Sequence, residues 1–197
     1  FVDIMNVFLS ERGLNPITID DYRDCFEFPI ENYYKNLGFN FKKESFQEVG
    51  SLFIKKYKKE RFKAFFYPNI KKLLFFLKSN EVPQFVVSAQ ENSLLKSAVT
   101  HYKVGDLFVD FKGVDNINAR GKVQAAKKII KKHLNNNYKI IVIGDTLYDH
   151  KVAKAVGAET LLVSFGHYSK KRLLGQDVDI VDTVSDLKKW FNQKLFC

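Results

Sequence analysis

The segment Gly144-Asp145-Thr146-Leu147-Tyr148-Asp149 sets two carboxylates four residues apart, directly after the apolar run Lys139–Gly144. Two acids straddling a strand-to-helix loop can approach one hard cation, with water filling the remaining octahedral positions that Mg²⁺ prefers. An acid at the end of an apolar strand must face a partner or a ligand, which singles out Asp145. Asp149 reads either as a second metal-shell acid or as the N-cap of the helix that follows. Ser88 ends the apolar run Gln84–Ala89 and offers a hydroxyl and nearby backbone N–H groups to an anion. It also reads as a helix cap. Lys122, in Arg120-Gly121-Lys122, begins a helix, where its charge works against the helix dipole. Pointed into the mouth of a sheet, it can neutralise a phosphate or keep a carboxylate charged; a surface lysine has the same signature.

These residues need strands and helices to position them. Residues 1–66 read as helices. Phe1, Ile4, Met5, Phe8 and Leu9 form one apolar stripe, ended by Gly13. Thr18–Cys25 and Glu31–Leu37 are short helices, and Ser45 with Glu48 is a capping box for a long one reaching about Phe62. After Pro68 the pattern changes. Helices over Ile70–Leu77, Asn92–Tyr102, Lys122–Leu134 and Asp149–Val156 alternate with strands at Gln84–Ala89, Leu107–Val114, Lys139–Gly144, Thr160–Phe165 and Asp179–Val181. Asn135–Asn137 is a polar turn, and Ser185 is expected to cap a last helix. Such alternation predicts an α/β fold, a Rossmann-like parallel sheet covered on both faces, with residues 1–66 as a small helical cap and 67–197 as the core.

The composition fits a chain with a sizeable core: 197 residues, 46% hydrophobic and 15% aromatic. No apolar run approaches the ~18–20 residues that span a bilayer, so no membrane partner is expected. Cys25 and Cys197 make neither a disulfide framework nor a zinc site, which points to the cytoplasm. The net charge of +10 comes mostly from Lys. Scattered Lys pairs read as solvated helix faces rather than a nucleic-acid surface, where Arg forks are usual.

The order Ser88, Lys122, Asp145, Asp149 resembles motifs two, three and four of the haloacid dehalogenase-like (HAD) hydrolase superfamily. "VVSAQ" is similar to motif two and "RGK" to motif three, with Val123 where the family usually has Pro. "IVIGDTLYDHKVAKAVGAETLLVSFG" is similar to motif four and the strand after it. "FVDIMNVFLSERGL" and "DCFEFPIENYYKNLGF" look like the cap of the phosphoglycolate phosphatase-like branch. "FYPNIKKLLFFLK" resembles the return to the core, with Asn69 in place of Gly, and "VDIVDTVSDLKKWF" the last strand and helix.

The resemblance implies a Mg²⁺-dependent phosphatase acting on a small phosphorylated metabolite through an aspartyl-phosphate. Ser88 and the Ala89 N–H would bind the phosphoryl group, Lys122 would offset charge, Asp145 would ligate Mg²⁺ and Asp149 would support the metal shell. Glu27 stands in the family's substrate loop, where it would repel a strongly anionic leaving group and so disfavour phosphoglycolate. A monomer or homodimer is expected.

The family's first motif, an aspartate-x-aspartate loop that carries the nucleophile, has no counterpart in the sequence. Helix one starts at Phe1 without a cap, as in a chain cut mid-element. The expectation is a missing central strand, seen as a gap between the strands of Ser88 and Ile143; direct pairing of those two would overturn it. The alternative function is a catalytically inactive HAD-fold binding or scaffold protein.

Overall fold

Two reciprocal caps set the helical half of the computed structural model. The structure describes residues 1–115, 121–134 and 138–195, so Arg120, the Asn135–Asn137 turn and Cys197 lie outside it. Thr18 accepts from the Asp21 N–H, and Asp21 accepts from the Thr18 N–H, opening α2 (Ile19–Cys25). Ser45 and Glu48 do the same for α4 (Phe46–Glu60). Each cap satisfies N–H groups that a helix start leaves unpaired. The predicted stripe on α1 (Val2–Ser10) is buried at Ile4, Met5, Phe8 and Leu9. It packs with Tyr22, with Tyr33 and Tyr34 of α3 (Ile30–Asn36), and with Phe53 of α4. The same core continues into Leu162, Tyr168 and Leu173, so the helices are docked on the α/β half through a shared apolar interior.

The α/β half begins at α5 (Ile70–Ser79). Asn69 precedes it in the left-handed region, φ 66°, a conformation Asn tolerates better than most residues. The strands are β1 (Phe85–Glu91), β2 (Asp110–Val114), β3 (Ile141–Gly144), β4 (Glu159–Val163) and β5 (Asp179–Val181). Every pairing among them is parallel: β1 with β2, β3 with β4, and β4 with β5. The crossovers run through α6 (Asn92–His101) and α8 (Leu147–Ala155), while α7 (Lys122–His133) packs on β1 and β2 and touches α8. The expected α/β class is therefore present, with a short helix α9 (Lys170–Leu173) that the sequence pattern did not signal.

The strands form two sheets, β1–β2 and β3–β4–β5, and β1 and β3 are not paired among the described residues. This is the expected gap between the strands of Ser88 and Ile143. Lys139–Gly144 reads as a thoroughly buried strand, yet β3 is paired on one edge and Ile143 is 41% exposed. The final helix, α10 (Val184–Leu195), is capped by Thr183, which accepts from the Asp186 N–H; Ser185 is not its cap. Among the described residues no helix is long and apolar enough to cross a membrane.

Candidate active site

Four separate elements deliver polar groups to one cavity of about 690 Å³ under the helices, lined by Ser88, Ala89, Lys122, Asp145 and Asp149. β1 delivers the first two through a bulge. Its register with β2 runs from Val87 beside Lys112 to Glu91 beside Val114, so Ser88–Gln90 leave the ladder. Bulges of this kind re-aim side chains at the end of a strand. The N-cap of α6 is Glu91, so Ser88 does not cap that helix. The Ser88 hydroxyl oxygen accepts from the Gln90 N–H at 3.0 Å, which leaves its proton free to donate into the cavity.

Asp149 is the most tightly held group, with its side chain 3% exposed. α8 starts two residues earlier than the sequence pattern implies, because Thr146 is its N-cap. Asp149 is therefore the third helical residue, the reciprocal partner in a capping box. Its Oδ2 accepts from the Asp145 N–H (3.1 Å), the Thr146 N–H (3.0 Å) and the Thr146 hydroxyl (2.7 Å). Its Oδ1 takes the Lys122 ammonium in a close ion pair. Gly144 permits this approach: a Cβ there would fall 2.1 Å from the Asp149 Cβ.

Asp145 is less enclosed. Its Oδ2 accepts from the His167 N–H at 2.7 Å, and its backbone carbonyl accepts from the Tyr168 N–H at 3.2 Å. Its Oδ1 receives no hydrogen bond among the described residues. Gly166 lets the loop after β4 lie against it, since a Cβ there would meet Asp145 Oδ2 at 2.1 Å.

The helical half is latched at both ends of this site. The Tyr22 hydroxyl and His167 Nδ1 are 2.5 Å apart, and the Phe26 ring stacks on His167 at 4.9 Å. Burial pushes the Tyr22 phenol far above its usual range, with charges around it, Asp145 among them, acting the same way, so it stays protonated. On the other side, Gln90 Nε2 donates to the Tyr57 hydroxyl at 3.1 Å. Arg172 of α9 donates to the carbonyls of Arg23 and Phe26, tying the α2 end to the helix that follows this loop. Sequence reasoning missed His167, Gln90, Tyr57 and Tyr22. The available signal was Gly166, a glycine placed directly after the Thr160–Phe165 run.

Glu27 is not brought to the site. It does not line the cavity, and its Oε1 accepts from Asn36 Nδ2 at 2.9 Å. Among the described residues there is also no cluster of three or more His, Cys, Asp and Glu able to hold a metal. Mg²⁺ does not need such a cage, since it keeps several waters and takes one or two carboxylates together with substrate phosphate. Asp145, with Oδ1 free, fits that donor role. Asp149, with Oδ2 fully engaged and Oδ1 on Lys122, fits the role of holding Asp145 and Lys122 in place.

Comparison with known proteins places these observations in a family. Residues 1–163 match the family described as haloacid dehalogenase-like hydrolase. Protein Tyrosine Kinase A of Mycobacterium tuberculosis superposes with a TM-score of 0.79 at 18% identity, over 96% of this chain and 88% of that one. A haloacid dehalogenase-like family hydrolase of Streptococcus pneumoniae gives 0.78 at 20% identity, over 95% and 89%. A predicted phosphoglycolate phosphatase of Haemophilus somnus gives 0.72 at 17% identity, over 96% and 89%. At such identities the likeness is one of fold. Among curated proteins there is no match.

Proposed function

This chain belongs to the haloacid dehalogenase-like hydrolase family, and on that premise we propose that it is a Mg²⁺-dependent phosphatase of a small phosphorylated metabolite. One observation carries the reading: Ser88, Ala89, Lys122, Asp145 and Asp149, drawn from β1, α7 and both sides of the β3–α8 loop, line a single cavity beneath the helices. In this reading residues 1–66 are the cap, residues 67–197 are the core, and the protein is cytoplasmic, a monomer or homodimer.

The chemistry assigned to the chain's own residues is phosphoryl transfer by positioning and charge. The Ser88 hydroxyl proton and the Ala89 N–H face the phosphoryl oxygens. Lys122, anchored by Asp149, sets a fixed positive charge beside them, and fixed charge in an enclosed site stabilises charge that develops during transfer. Bound Mg²⁺ would add positive charge against the phosphoryl oxygens, and Asp145 is the residue placed to hold it.

The nucleophilic carboxylate is assigned to a strand seated between β1 and β3. Attack in line forms a phosphorus–oxygen bond to that carboxylate as the P–O ester bond breaks, and the alcohol leaves with that electron pair and a proton from solvent; water then attacks phosphorus, breaks the bond to the carboxylate and releases phosphate. Among the described residues β1 and β3 each pair along one edge alone, which leaves the other edge of each open to such a strand and supports this assignment.

The test is phosphate release from a panel of phosphate monoesters by the full-length protein, with and without EDTA. Release that stops with EDTA and returns with Mg²⁺ is expected. Release indifferent to EDTA, or none from any ester, refutes the reading.

A further inference from the structure

The cavity also carries information about what leaves with the ester oxygen. Among the described residues that line it, Lys122 is the one Lys or Arg, and its ammonium is committed to Asp149. The same lining includes Glu31 and Glu91. Glu31 is paired with Lys35 at 2.7 Å, which occupies that lysine, and Lys35 itself does not line the cavity. A carboxylate or second phosphate on the leaving group would find no free Lys or Arg among the described lining residues. Phe28, between α2 and α3, meets Tyr148 of α8 across the seam between the helices and the core. Their ring centroids are 5.3 Å apart and the planes are tilted by 43°. Both are half-buried and both line the cavity, and Tyr148 is the residue before Asp149. These two rings, with Phe46 and Ile54 in the same lining, offer apolar and π contact area to a flat group.

We infer that the substrate is a phosphate monoester whose leaving group is uncharged and carries a planar aromatic ring, seated against Phe28 and Tyr148. This rests on the phosphatase reading, and it moves the discrimination against anionic leaving groups from Glu27 to a described lining whose one Lys or Arg is held by Asp149.

The test compares two esters with the same methylene on the ester oxygen, benzyl phosphate and phosphoglycolate, which differ by a phenyl in place of a carboxylate. For the full-length protein, kcat/KM is expected to favour benzyl phosphate by about tenfold or more, chiefly through KM. Tyr148→Leu is expected to cut that preference by about two- to tenfold, the range measured for aromatic pairs. Binding of the matched phosphonates, benzylphosphonate and phosphonoacetate, is measured in parallel by calorimetry and needs no turnover. Tighter binding of benzylphosphonate supports the inference. Equal or tighter binding of phosphonoacetate, or a kcat/KM that favours phosphoglycolate, overturns it. Failure to cleave either ester counts against the phosphatase reading, while the phosphonate ranking still decides this inference.

Discussion

Replacing Asp149 by Ala removes one carboxylate and strands four donors. Three of them, the Asp145 N–H, the Thr146 N–H and the Thr146 hydroxyl, form the start of α8, and losing such a cap costs about 1 kcal/mol. The fourth is the Lys122 ammonium, whose side chain is 17% exposed and has no other partner among the described residues. Removing one member of a buried pair costs about 3–5 kcal/mol, and partial access of water to Lys122 argues for the lower end. The sum is about 4 kcal/mol. For a chain of this length each kcal/mol lowers the melting temperature by about 2–4 °C, giving a fall of about 8–16 °C. Lys122→Met should cost less, because Asp149 keeps its three donors when the ammonium leaves. The double variant should recover about 2–3 kcal/mol relative to the sum of the singles. Urea unfolding followed by the fluorescence of Trp190, the chain's one tryptophan and buried, measures all three. A loss under about 1 kcal/mol for Asp149→Ala, a Lys122→Met cost equal to or above it, or additive singles would refute the argument.

Gly166→Ala forces a methyl group onto Asp145, so phosphate release by the full-length protein should fall by at least about tenfold while circular dichroism stays native; unchanged turnover would show that Asp145 has room to move without consequence. Lys132, and then His133, hydrogen-bond Asp110 and push its carboxyl down to about 2, below the ordinary carboxylate value. A depressed carboxyl stabilises above its unfolded pKa and loses that contribution as pH falls through the folded one. Asp110→Asn should therefore cost about 1 kcal/mol at pH 7, after allowance for solvent screening, and the gap from wild type should narrow between about pH 4 and 2. Denaturant titrations across that range check it, and a gap that is constant with pH would contradict it. Ser45→Ala should remove about 1 kcal/mol through the lost cap of α4, read as a shift in urea midpoint with unchanged slope.

Much of the fold was legible in the sequence because local rules act over a few residues. The Ser45/Glu48 box, the stripe from Ile4 to Leu9 and the β-branched runs at β1, β3 and β4 each announce an element without reference to the rest of the chain. The gap beside β3 was legible for a different reason, as the place of a motif with no counterpart in the sequence. What stayed hidden depends on contacts between distant segments. His167 reaches Asp145 across 22 residues and Tyr22 across 145, and no spacing signals either contact. The start of α8 was misplaced because Asp149 and Thr146 are both capping residues, and only the structure shows Thr146 as the cap and Asp149 as its reciprocal partner. Glu27 was expected at the site from its place in a cap segment, but the segment turns its carboxylate toward Asn36.

The central claim is that Asp145 is the acid around which this cavity works. It is tested most directly by phosphate release from the full-length protein and its Asp145→Asn variant, measured with Mg²⁺ present. Asn keeps the size of the side chain and can still accept from the His167 N–H, so the fold should hold. A loss of at least about 100-fold in kcat with an unchanged melting temperature is expected. Activity within a few-fold of the unsubstituted protein would contradict it.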